Sequence, residues 1–289
     1  MIKKLFLLFF FIAGTIKAQT LNGIIQDSKS KVPLPFSNLV LLNTKIGAYS
    51  NDSGHFDFTI NLNSNDTLKI SSIGYESLFV PLKDLTNIKK VEFNLKQKTY
   101  FLDEIIINTK KIKYSKKYKL GKNRIGNVSV SSLVGLEYCI YIDNPFQTSG
   151  LLKSVFVNLK KRDNENFISP LKIKIYKYDK INNIPGEELL IENLIIVAKN
   201  KKYVLDVDVR DYKIPFLKDG ICIGVEWLDP NNETNKFDKI GPTLRYTYID
   251  DNSISWTNYH NRGWKNGIVK YRNNEKAIPL INIEVLMIK

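Results

Sequence analysis

Cysteine and histidine are scarce in this 289-residue sequence, which contains two of each. Cys139 and Cys222 lie far apart in the chain, and so do His55 and His260. No grouping of the four has the ligand spacing of a familiar zinc site, so the sequence predicts no bound metal. An oxidising compartment would permit a disulfide between the two cysteines, but both lie in apolar segments that are typical of buried thiols. We favour two buried thiols, and the disulfide stays open as the alternative.

Catalytic motifs are also missing. The sequence has no Gly-x-Ser-x-Gly elbow, no His-Glu-x-x-His pair and no glycine-rich phosphate loop. His260 lies in a polar loop without an evident serine or cysteine partner. Paired carboxylates for glycoside hydrolysis could still come from distant strands. We predict a protein that is not an enzyme and needs no cofactor.

No apolar run in the sequence is long enough to cross a membrane as a helix, and the one at residues 5–12 is far shorter than the ~20 residues that a spanning helix needs. Residues 1–4 include two lysines, residues 5–12 are apolar, and small residues lead to Ala18. This order is typical of a secretory signal peptide, here residues 1–18, with cleavage before Gln19. Because Gln19 is not cysteine, a lipid anchor is disfavoured. We expect an exported protein whose mature chain has no transmembrane segment.

Negative charge is in short supply, with 29 acidic residues against 43 lysines and arginines, and the formal charge is +14. The excess is spread along the chain without a nucleic-acid-binding motif, so we attribute it to composition and expect no nucleic-acid partner. Residues 109–124 form an acid-free basic stretch. Such a run extends by self-repulsion, which predicts a linker. A basic tether for anionic polysaccharide or lipid headgroups is the alternative.

What the sequence does contain is short segments of alternating apolar residues, separated by turns. Phe56, Phe58 and Ile60 alternate with polar residues in one run. Leu68 and Ile70 alternate with polar residues in a second run. This period of two predicts strands with one buried face. Gly74 interrupts the second run, which indicates a bend or a close approach of the backbone. About seven such strands in residues 19–108 predict a β-sandwich.

Four motifs occur in order within that segment. They are Leu21-Asn22-Gly23-Ile24-Ile25-Gln26-Asp27, Pro33-Leu34-Pro35-Phe36-Ser37-Asn38-Leu39, Asn51-Asp52-Ser53-Gly54-His55-Phe56 and Ser72-Ile73-Gly74-Tyr75. Together they resemble the carboxypeptidase-regulatory-like domain family. Residues 102–107 resemble the segment that follows this domain in exported bacterial proteins, including TonB-dependent transporters. The resemblance implies a seven-stranded, transthyretin-like sandwich that is an accessory module and not a catalytic one. The remaining chain is too short for a transporter's plug and barrel.

Residues 125–289 again show about eight strand-like segments and no helical period, which predicts a second antiparallel, jelly-roll-like sandwich. In residues 171–175, strict alternation predicts that Lys172 and Lys174 lie near solvent. The order of residues 173–176, 185–190 and 220–227 loosely resembles accessory β-sandwich modules of exported bacterial proteins, some of which bind carbohydrate. The predicted fold class is all-β, with one sandwich at 19–108, the linker at 109–124 and a second sandwich at 125–289.

The candidate ligand site is an aromatic-rich segment near the end of the chain. Exposed rings stack on the apolar faces of sugars while neighbouring polar groups bind hydroxyls, and this requires Trp256, Tyr259 and Trp264 to be exposed together. The alternative is that these rings fill the core or rim of a sandwich. The candidate residues are Tyr246, Tyr248, Trp256, Tyr259, Arg262 and Trp264. Oxygen-rich loops at 229–233 and 250–252 lack a recognised Ca²⁺ spacing, and we interpret them as turns.

These observations predict a non-catalytic, exported binding or assembly module of the bacterial envelope. Carbohydrate is the expected ligand class for the C-terminal sandwich. Two partners stay open, an envelope polysaccharide and an outer-membrane protein complex, with a structural or docking role in the second case. An accessory to, or a remnant of, an envelope peptidase or glycosidase is the third alternative. The expected location is the periplasm, the outer membrane or the cell surface.

Overall fold

A computed structural model describes residues 19–44, 46–62, 64–86, 88, 90–98, 114–130, 133–160, 167–198, 204–229, 240–271 and 274–288. The predicted signal peptide, the 102–107 segment and the first part of the predicted linker (109–113) lie outside these ranges. The described chain consists of strands joined by turns and two short 3₁₀ helices, so the all-β prediction is confirmed. No helix within the described ranges is long and apolar enough to span a bilayer.

Seven strands and one 3₁₀ helix form the N-terminal sandwich. They are β1 (Gln19–Asp27), β2 (Asn38–Leu41), β3 (Gly47–Tyr49), β4 (His55–Ile60), β5 (Thr67–Ser71), β6 (Leu78–Pro81), η1 (Leu82–Leu85) and β7 (Val91–Leu95). The three-stranded sheet has the order β4-β1-β7, and β1 is antiparallel to β4 but parallel to β7. The four-stranded sheet has the order β3-β2-β5-β6 and is antiparallel throughout.

The alternating residues of the N-terminal strands fill the space between its two sheets. Phe56 and Phe58 on β4 and Leu68 and Ile70 on β5 are all buried in one apolar core. Gly74 follows β5 with a φ of 80°, a left-handed conformation that favours glycine. A Cβ placed there would lie 3.2 Å from the Ile191 carbonyl oxygen of the second sandwich. The predicted bend and close approach are therefore both present.

Eighteen strands and one 3₁₀ helix make up the rest of the described chain. They are β8 (Tyr114–Gly121), β9 (Ser129–Val130), β10 (Leu136–Ile142), β11 (Gly150–Lys160), β12 (Phe167–Ile168), β13 (Leu171–Asp179), β14 (Ile184–Glu188), β15 (Leu194–Ile196), β16 (Val204–Asp208), η2 (Arg210–Tyr212), β17 (Pro215–Phe216), β18 (Ile221–Trp227), β19 (Ile240–Gly241), β20 (Thr243–Ile249), β21 (Ser255–Tyr259), β22 (Lys265–Asn266), β23 (Val269–Lys270), β24 (Lys276–Pro279) and β25 (Ile281–Ile288).

Two large sheets of the C-terminal sandwich enclose its core. The seven-stranded sheet has the order β14-β13-β18-β10-β21-β22, with β15 paired to β13. The nine-stranded sheet has the order β23-β24-β20-β11-β25-β8, with β16 and β17 on β11 and β9 on β20. Aliphatic residues such as Ile173, Val225, Val155 and Ile283 meet between the sheets with no measurable exposure. The pairing is antiparallel in both sheets, as the sequence predicts.

The linker prediction for residues 109–124 is wrong in its second part. Residues 114–121 form β8, an edge strand that pairs antiparallel with β25. Tyr118 and Leu120 pack against the C-terminal core, whereas Lys117 and Lys119 are exposed. An edge strand needs only one apolar face, and outward lysines discourage pairing with further chains. The basic composition therefore marks an edge strand here and not an unstructured connection.

The two sandwiches pack against each other through sheet faces that lie outside both cores. Val40 on β2 and Tyr49 on β3 are 1% and 2% exposed, yet neither belongs to either apolar core. Both project from the four-stranded sheet toward the seven-stranded sheet, where Tyr49 contacts Glu226. We call this contact between the four-stranded and seven-stranded sheets the seam. It places four sheets one behind another, with apolar layers on either side of the seam.

Candidate functional site

The strand period explains which side chains reach the seam. On β13, Ile173 and Ile175 point into the C-terminal core, so Lys172 and Lys174 point the opposite way. Both lysines are buried, at 7% and 3% exposure. The prediction that they lie near solvent is therefore wrong. The alternation was interpreted correctly, but the four-stranded sheet covers the face that was expected to meet water.

Carboxylates on the neighbouring strands stand beside these lysines. Glu226 on β18 is in register with Lys172 on β13 and with Glu137 on β10. Side chains of registered residues lie on the same sheet face about 5 Å apart, which brings both carboxylates within reach of Lys174. Glu137 and Glu226 are 1% and 3% exposed. Charged groups are rarely buried to this extent unless they are paired.

Five side chains form the seam network: Tyr49, Glu137, Lys174, Tyr176 and Glu226. The Lys174 Nζ lies 2.9 Å from Glu137 Oε2 and 3.0 Å from Glu226 Oε2. The Tyr176 hydroxyl donates to Glu137 Oε1 at 2.8 Å. The Tyr49 hydroxyl donates to Glu226 Oε1, also at 2.8 Å. Glu137 is thus bound entirely within the C-terminal sandwich, whereas Glu226 is bound by side chains of both sandwiches.

Burial and charge oppose each other in the pKa values of this network. Burial raises the pKa of Glu137 to about 7, although Lys174 counteracts it. Burial acts the same way on Glu226, but Lys174, Lys172 and the Tyr49 hydrogen bond outweigh it and lower the pKa of that carboxyl. Burial disfavours the charged form of Lys174, but the surrounding glutamates prevail and raise its pKa. The lysine is therefore a cation at neutral pH and binds the two carboxylates.

His260 is the seam residue that sequence reasoning missed. Its ring is 2% exposed, and its Nδ1 lies 3.3 Å from Asn38 Oδ1 on β2. Burial lowers the pKa of His260 to about 4, so the ring is neutral at physiological pH. A Cβ on Gly47 would come within 2.7 Å of this ring, and one on Gly135 within 2.2 Å. Two glycines from different sandwiches therefore form the slot that holds the ring, a relation that sequence spacing does not reveal.

Polar contacts from the same loop and from a second loop complete the seam. Arg262 Nη2 donates to the carbonyl oxygens of Leu41 at 2.8 Å and Leu42 at 3.0 Å. Asn193 Nδ2 donates to the Pro35 carbonyl oxygen at 2.9 Å. These bonds saturate backbone acceptors of the N-terminal sandwich with side chains of the C-terminal one. The Arg262 guanidinium is thus hydrogen-bonded across the contact between the two sandwiches.

The six sequence-predicted ligand residues occupy three different environments. Tyr246 is fully buried in the C-terminal core, with its ring edge-on to Tyr138, and Tyr248 packs against that core. Trp256, at 6% exposure, and the half-buried Trp264 belong to a cluster with Cys139, Tyr176 and Cys222. Tyr259 packs edge-on against His260 beside Arg262. Because Trp256 offers almost no free ring face, Trp256, Tyr259 and Trp264 do not form a shared exposed platform. Tyr246 and Trp256 fit the alternative, in which the rings fill a sandwich.

The two cysteines lie in the same cluster on adjacent strands. Cys139 is on β10 and Cys222 on β18, both without exposure and both as free thiols. Burial raises the pKa of Cys139, and the neighbouring Cys222 adds to the effect. The preferred interpretation of two buried thiols is therefore confirmed. Within the described ranges no group of three or more histidine, cysteine or carboxylate side chains has the arrangement of a metal site.

Chemically, the seam network is suited to holding surfaces together. Its three charged side chains are at most 4% exposed, so none can reach a ligand in solution. Lys174 is occupied by two carboxylates, and each carboxylate is also bound by a tyrosine hydroxyl. Removing any member would leave a buried charge or hydrogen-bonding group without its partner. The arrangement stabilises one fixed contact between two sandwiches.

Comparison with known proteins agrees with the N-terminal motifs. No curated protein matches the chain. The family that does match is non-catalytic and suggests a binding or regulatory module. The matched region begins within β1 and contains β2 to β7 of the N-terminal sandwich entirely. Residues 21–107 match the CarboxypepD_reg-like domain family, as the sequence motifs predict.

Proposed function

We propose that this protein is an exported, non-catalytic binding and assembly module of the bacterial envelope. The observation that carries the proposal is the seam, where a lysine, two carboxylates and two tyrosines fix the matched domain to the C-terminal sandwich. In this proposal the N-terminal sandwich is a structural support that holds the C-terminal sandwich in one orientation. The C-terminal sandwich carries the ligand surface.

Two further observations support the proposal. The matched family is a non-catalytic one, which agrees with a supporting role for residues 21–107. The order of charged, apolar and small residues at positions 1–18 is that of an export signal. For the ligand we propose carbohydrate, because the C-terminal sandwich places half-buried rings, among them Tyr141, Tyr178 and Trp264, at its surface.

Export is tested by producing the tagged full-length chain in a Gram-negative host and fractionating the cells. We expect a processed protein that begins at Gln19 in the periplasmic or outer-membrane fraction, with mass spectrometry defining the first residue. A Leu8→Arg variant, which interrupts the apolar segment, should remain unprocessed in the cytoplasm. Unprocessed wild-type protein in the cytoplasm would contradict the proposed location.

Binding is tested by affinity electrophoresis of the mature chain through gels that contain purified envelope polysaccharide. We expect its mobility to fall relative to that in a plain gel, while an unrelated protein of similar charge is unaffected. Crosslinking in intact cells provides the second measurement. Unchanged mobility together with one reproducible crosslink to an outer-membrane protein would favour the docking alternative. Unchanged mobility and no crosslink would contradict the binding-module proposal.

A further inference from the structure

We propose that a cleft at one end of the C-terminal sandwich binds a sugar unit of a neutral glycan. The inference rests on the binding function proposed above and adds a site and a ligand class to it. The cleft lies where β8 and β10 end and where the loop before β21 begins. We call it the end cleft. None of the six aromatic-segment residues discussed above lines it.

The base of the end cleft is aliphatic and well ordered by packing. Its volume is about 580 Å³, within the usual range of small-molecule sites. Ile140, Ile142 and Ile278 are almost completely buried and belong to the strands that frame the core. A firm apolar base suits the C–H face of a pyranose ring. The aliphatic lining residues are Leu120, Ile140, Ile142, Pro145, Ile278, Pro279 and Ile281.

Tyr141 lies at the edge of the end cleft, on the β10 face opposite Ile140 and Ile142, and its side chain is fixed from two sides. Its ring packs on that of Tyr178, with centroids 4.3 Å apart and planes tilted by 34°. Its hydroxyl oxygen lies 2.9 Å from Asp143 Oδ1 and 3.0 Å from the Asp219 carbonyl oxygen, so one proton serves two acceptors. The Tyr141 hydroxyl thereby holds Asp143 in place, and a rim group that is already fixed loses little conformational entropy when a ligand binds to it.

The rim of the end cleft combines hydrogen-bond acceptors with donors. Lys122 forms an ion pair with Asp251, which also accepts from the Ser253 backbone N–H at 3.0 Å. Asp143 and Asn252 are exposed beside them. Sugar hydroxyls both donate and accept, so they can bind carboxylate oxygens, the amide and the ammonium group together. The lining therefore has the mixture that a polyhydroxylated ligand requires.

The charge of the rim selects among glycans. Asp143 and Asp251 carry two negative charges against the single positive charge of Lys122. This balance disfavours acidic sugars, although the whole chain is strongly basic. A second described cavity, lined by Lys117, Lys153, Ser154, Asp206, Asp208, Arg210 and Leu286, contains no ring among its lining residues. Its Arg210 and Lys153 are already paired, with Asp208 and Glu284. We therefore assign the neutral sugar to the end cleft.

The test is isothermal titration calorimetry of the mature chain with neutral oligosaccharides and a uronic-acid oligosaccharide. We expect binding of at least one neutral oligosaccharide and none of the acidic one. An Asp143→Ala/Asn252→Ala variant should bind at least about tenfold more weakly, because it loses hydrogen bonds to a charged and a neutral group. Tyr141→Phe, which removes only the hydroxyl that contacts Asp143, should lose less. Asn65→Ala removes an exposed amide on the other sandwich and should bind as the wild type does.

Thermal unfolding of each variant confirms that the fold is retained before its affinity is compared. Equal affinity of the double variant and the wild type overturns the end cleft as the site and leaves the binding function standing. Preference for the acidic oligosaccharide overturns the ligand class. Absence of binding to every neutral oligosaccharide overturns the inference, and the electrophoresis with envelope polysaccharide then decides separately whether the binding function also fails.

Discussion

The C-terminal core and the seam lie on opposite faces of the same strands. On β13, Ile173 and Ile175 enter a core of aliphatic side chains, while Lys174 and Tyr176 enter a layer of charges and hydroxyls. Both faces are buried to a similar degree. Apolar contact is not directional and depends on the area removed from water. A lysine held between two carboxylates is favourable in one geometry, so the seam specifies orientation where the core provides bulk stability.

The comparison also shows why the seam is costly to disturb. A truncated core side chain loses transfer energy and leaves a cavity, which the surrounding residues partly fill. A broken ion network leaves charges in a medium that solvates them poorly, and the neighbouring residues cannot supply the missing counter-charge. We infer that the seam network persists because it fixes how the matched domain sits on the C-terminal sandwich. Mutations on the two faces should therefore cause losses of stability that differ in magnitude and in their dependence on pH.

The largest effect should come from removing the shared cation. Lys174→Met leaves Glu137 and Glu226 buried without their counter-charge, and about 3–5 kcal/mol of the free energy of unfolding should be lost at pH 7. Urea unfolding at pH 7 and pH 5 measures this loss, which should shrink at pH 5 because Glu226, without the cation that lowers its pKa, can then take up a proton. Ile173→Ala, on the core face, should cost about 2–5 kcal/mol at both pH values. A Lys174→Met loss that does not change with pH would contradict the proposed electrostatic origin.

Glu137 and His260 should make stability depend on pH in opposite directions. Their effects should therefore be visible only after one of the two residues is replaced. The pKa of Glu137 is raised to about 7, so its contribution is present at low pH and is lost as pH rises. The pKa of His260 is lowered to about 4, so its contribution is lost as pH falls below its unfolded value of 6.5. Between roughly pH 4.5 and 6.5 the two groups change the free energy of unfolding in opposite directions. Each changes it by roughly 3 kcal/mol over its full titration range.

Denaturant unfolding of three proteins across pH 4.5–6.5 tests this opposition. The wild type should change little through these two groups. Glu137→Gln should become more stable as pH rises, relative to the wild type, because His260 then titrates without the opposing Glu137. His260→Asn should become less stable as pH rises, because Glu137 then titrates without the opposing histidine. Equal slopes in the two variants would rule out this balance.

A smaller effect should distinguish the two tyrosines of the network. Tyr49→Phe and Tyr176→Phe each delete a 2.8 Å hydrogen bond to a buried carboxylate, and each should cost about 1.5–3 kcal/mol. Of these two hydrogen bonds, the Tyr49 one crosses the seam and the Tyr176 one lies within the C-terminal sandwich. Calorimetry of Tyr49→Phe should therefore show the N-terminal sandwich unfolding at a lower temperature than the C-terminal one. Tyr176→Phe is the matched control and should keep the two transitions together, and identical thermograms would contradict the assignment of Tyr49 to the contact.

Local periodicity predicted the seven strands of the N-terminal sandwich, but only about eight of the eighteen described from β8 onward. The alternation of Phe56, Phe58 and Ile60 predicts a strand that coincides with β4, and Leu68 and Ile70 face the N-terminal core as their spacing indicates. These features depend on neighbours in the sequence, which a pattern of period two records directly. The linker prediction for the basic run over residues 116–119 is wrong. It rests on charge and overlooks the alternation of Tyr118 and Leu120, which is typical of a strand.

The candidate site depended on contacts between distant parts of the chain, which the sequence does not record. Alternation placed Lys172 and Lys174 opposite Ile173, but it could not show that a second sheet covers them. Tyr246 and Trp256 are near neighbours in the sequence, yet they lie on different sheets, which spacing along the chain does not reveal. The match of residues 21–107 identified the covering domain without showing where it docks.

The smallest predicted effect concerns the fit of His260 between the sandwiches. A Cβ on Gly47 would approach the His260 Nδ1 to 2.7 Å, so Gly47→Ala should force the ring or the sheet to shift, at about 1–3 kcal/mol. His260→Ala makes room for the added methyl group. In that background Gly47→Ala should cost almost nothing, and the double-mutant cycle should give a coupling energy close to the cost of the single glycine replacement. Additive effects would show that the ring does not fill this slot, and the seam would then have to be held by the charge network and the Arg262 bonds alone.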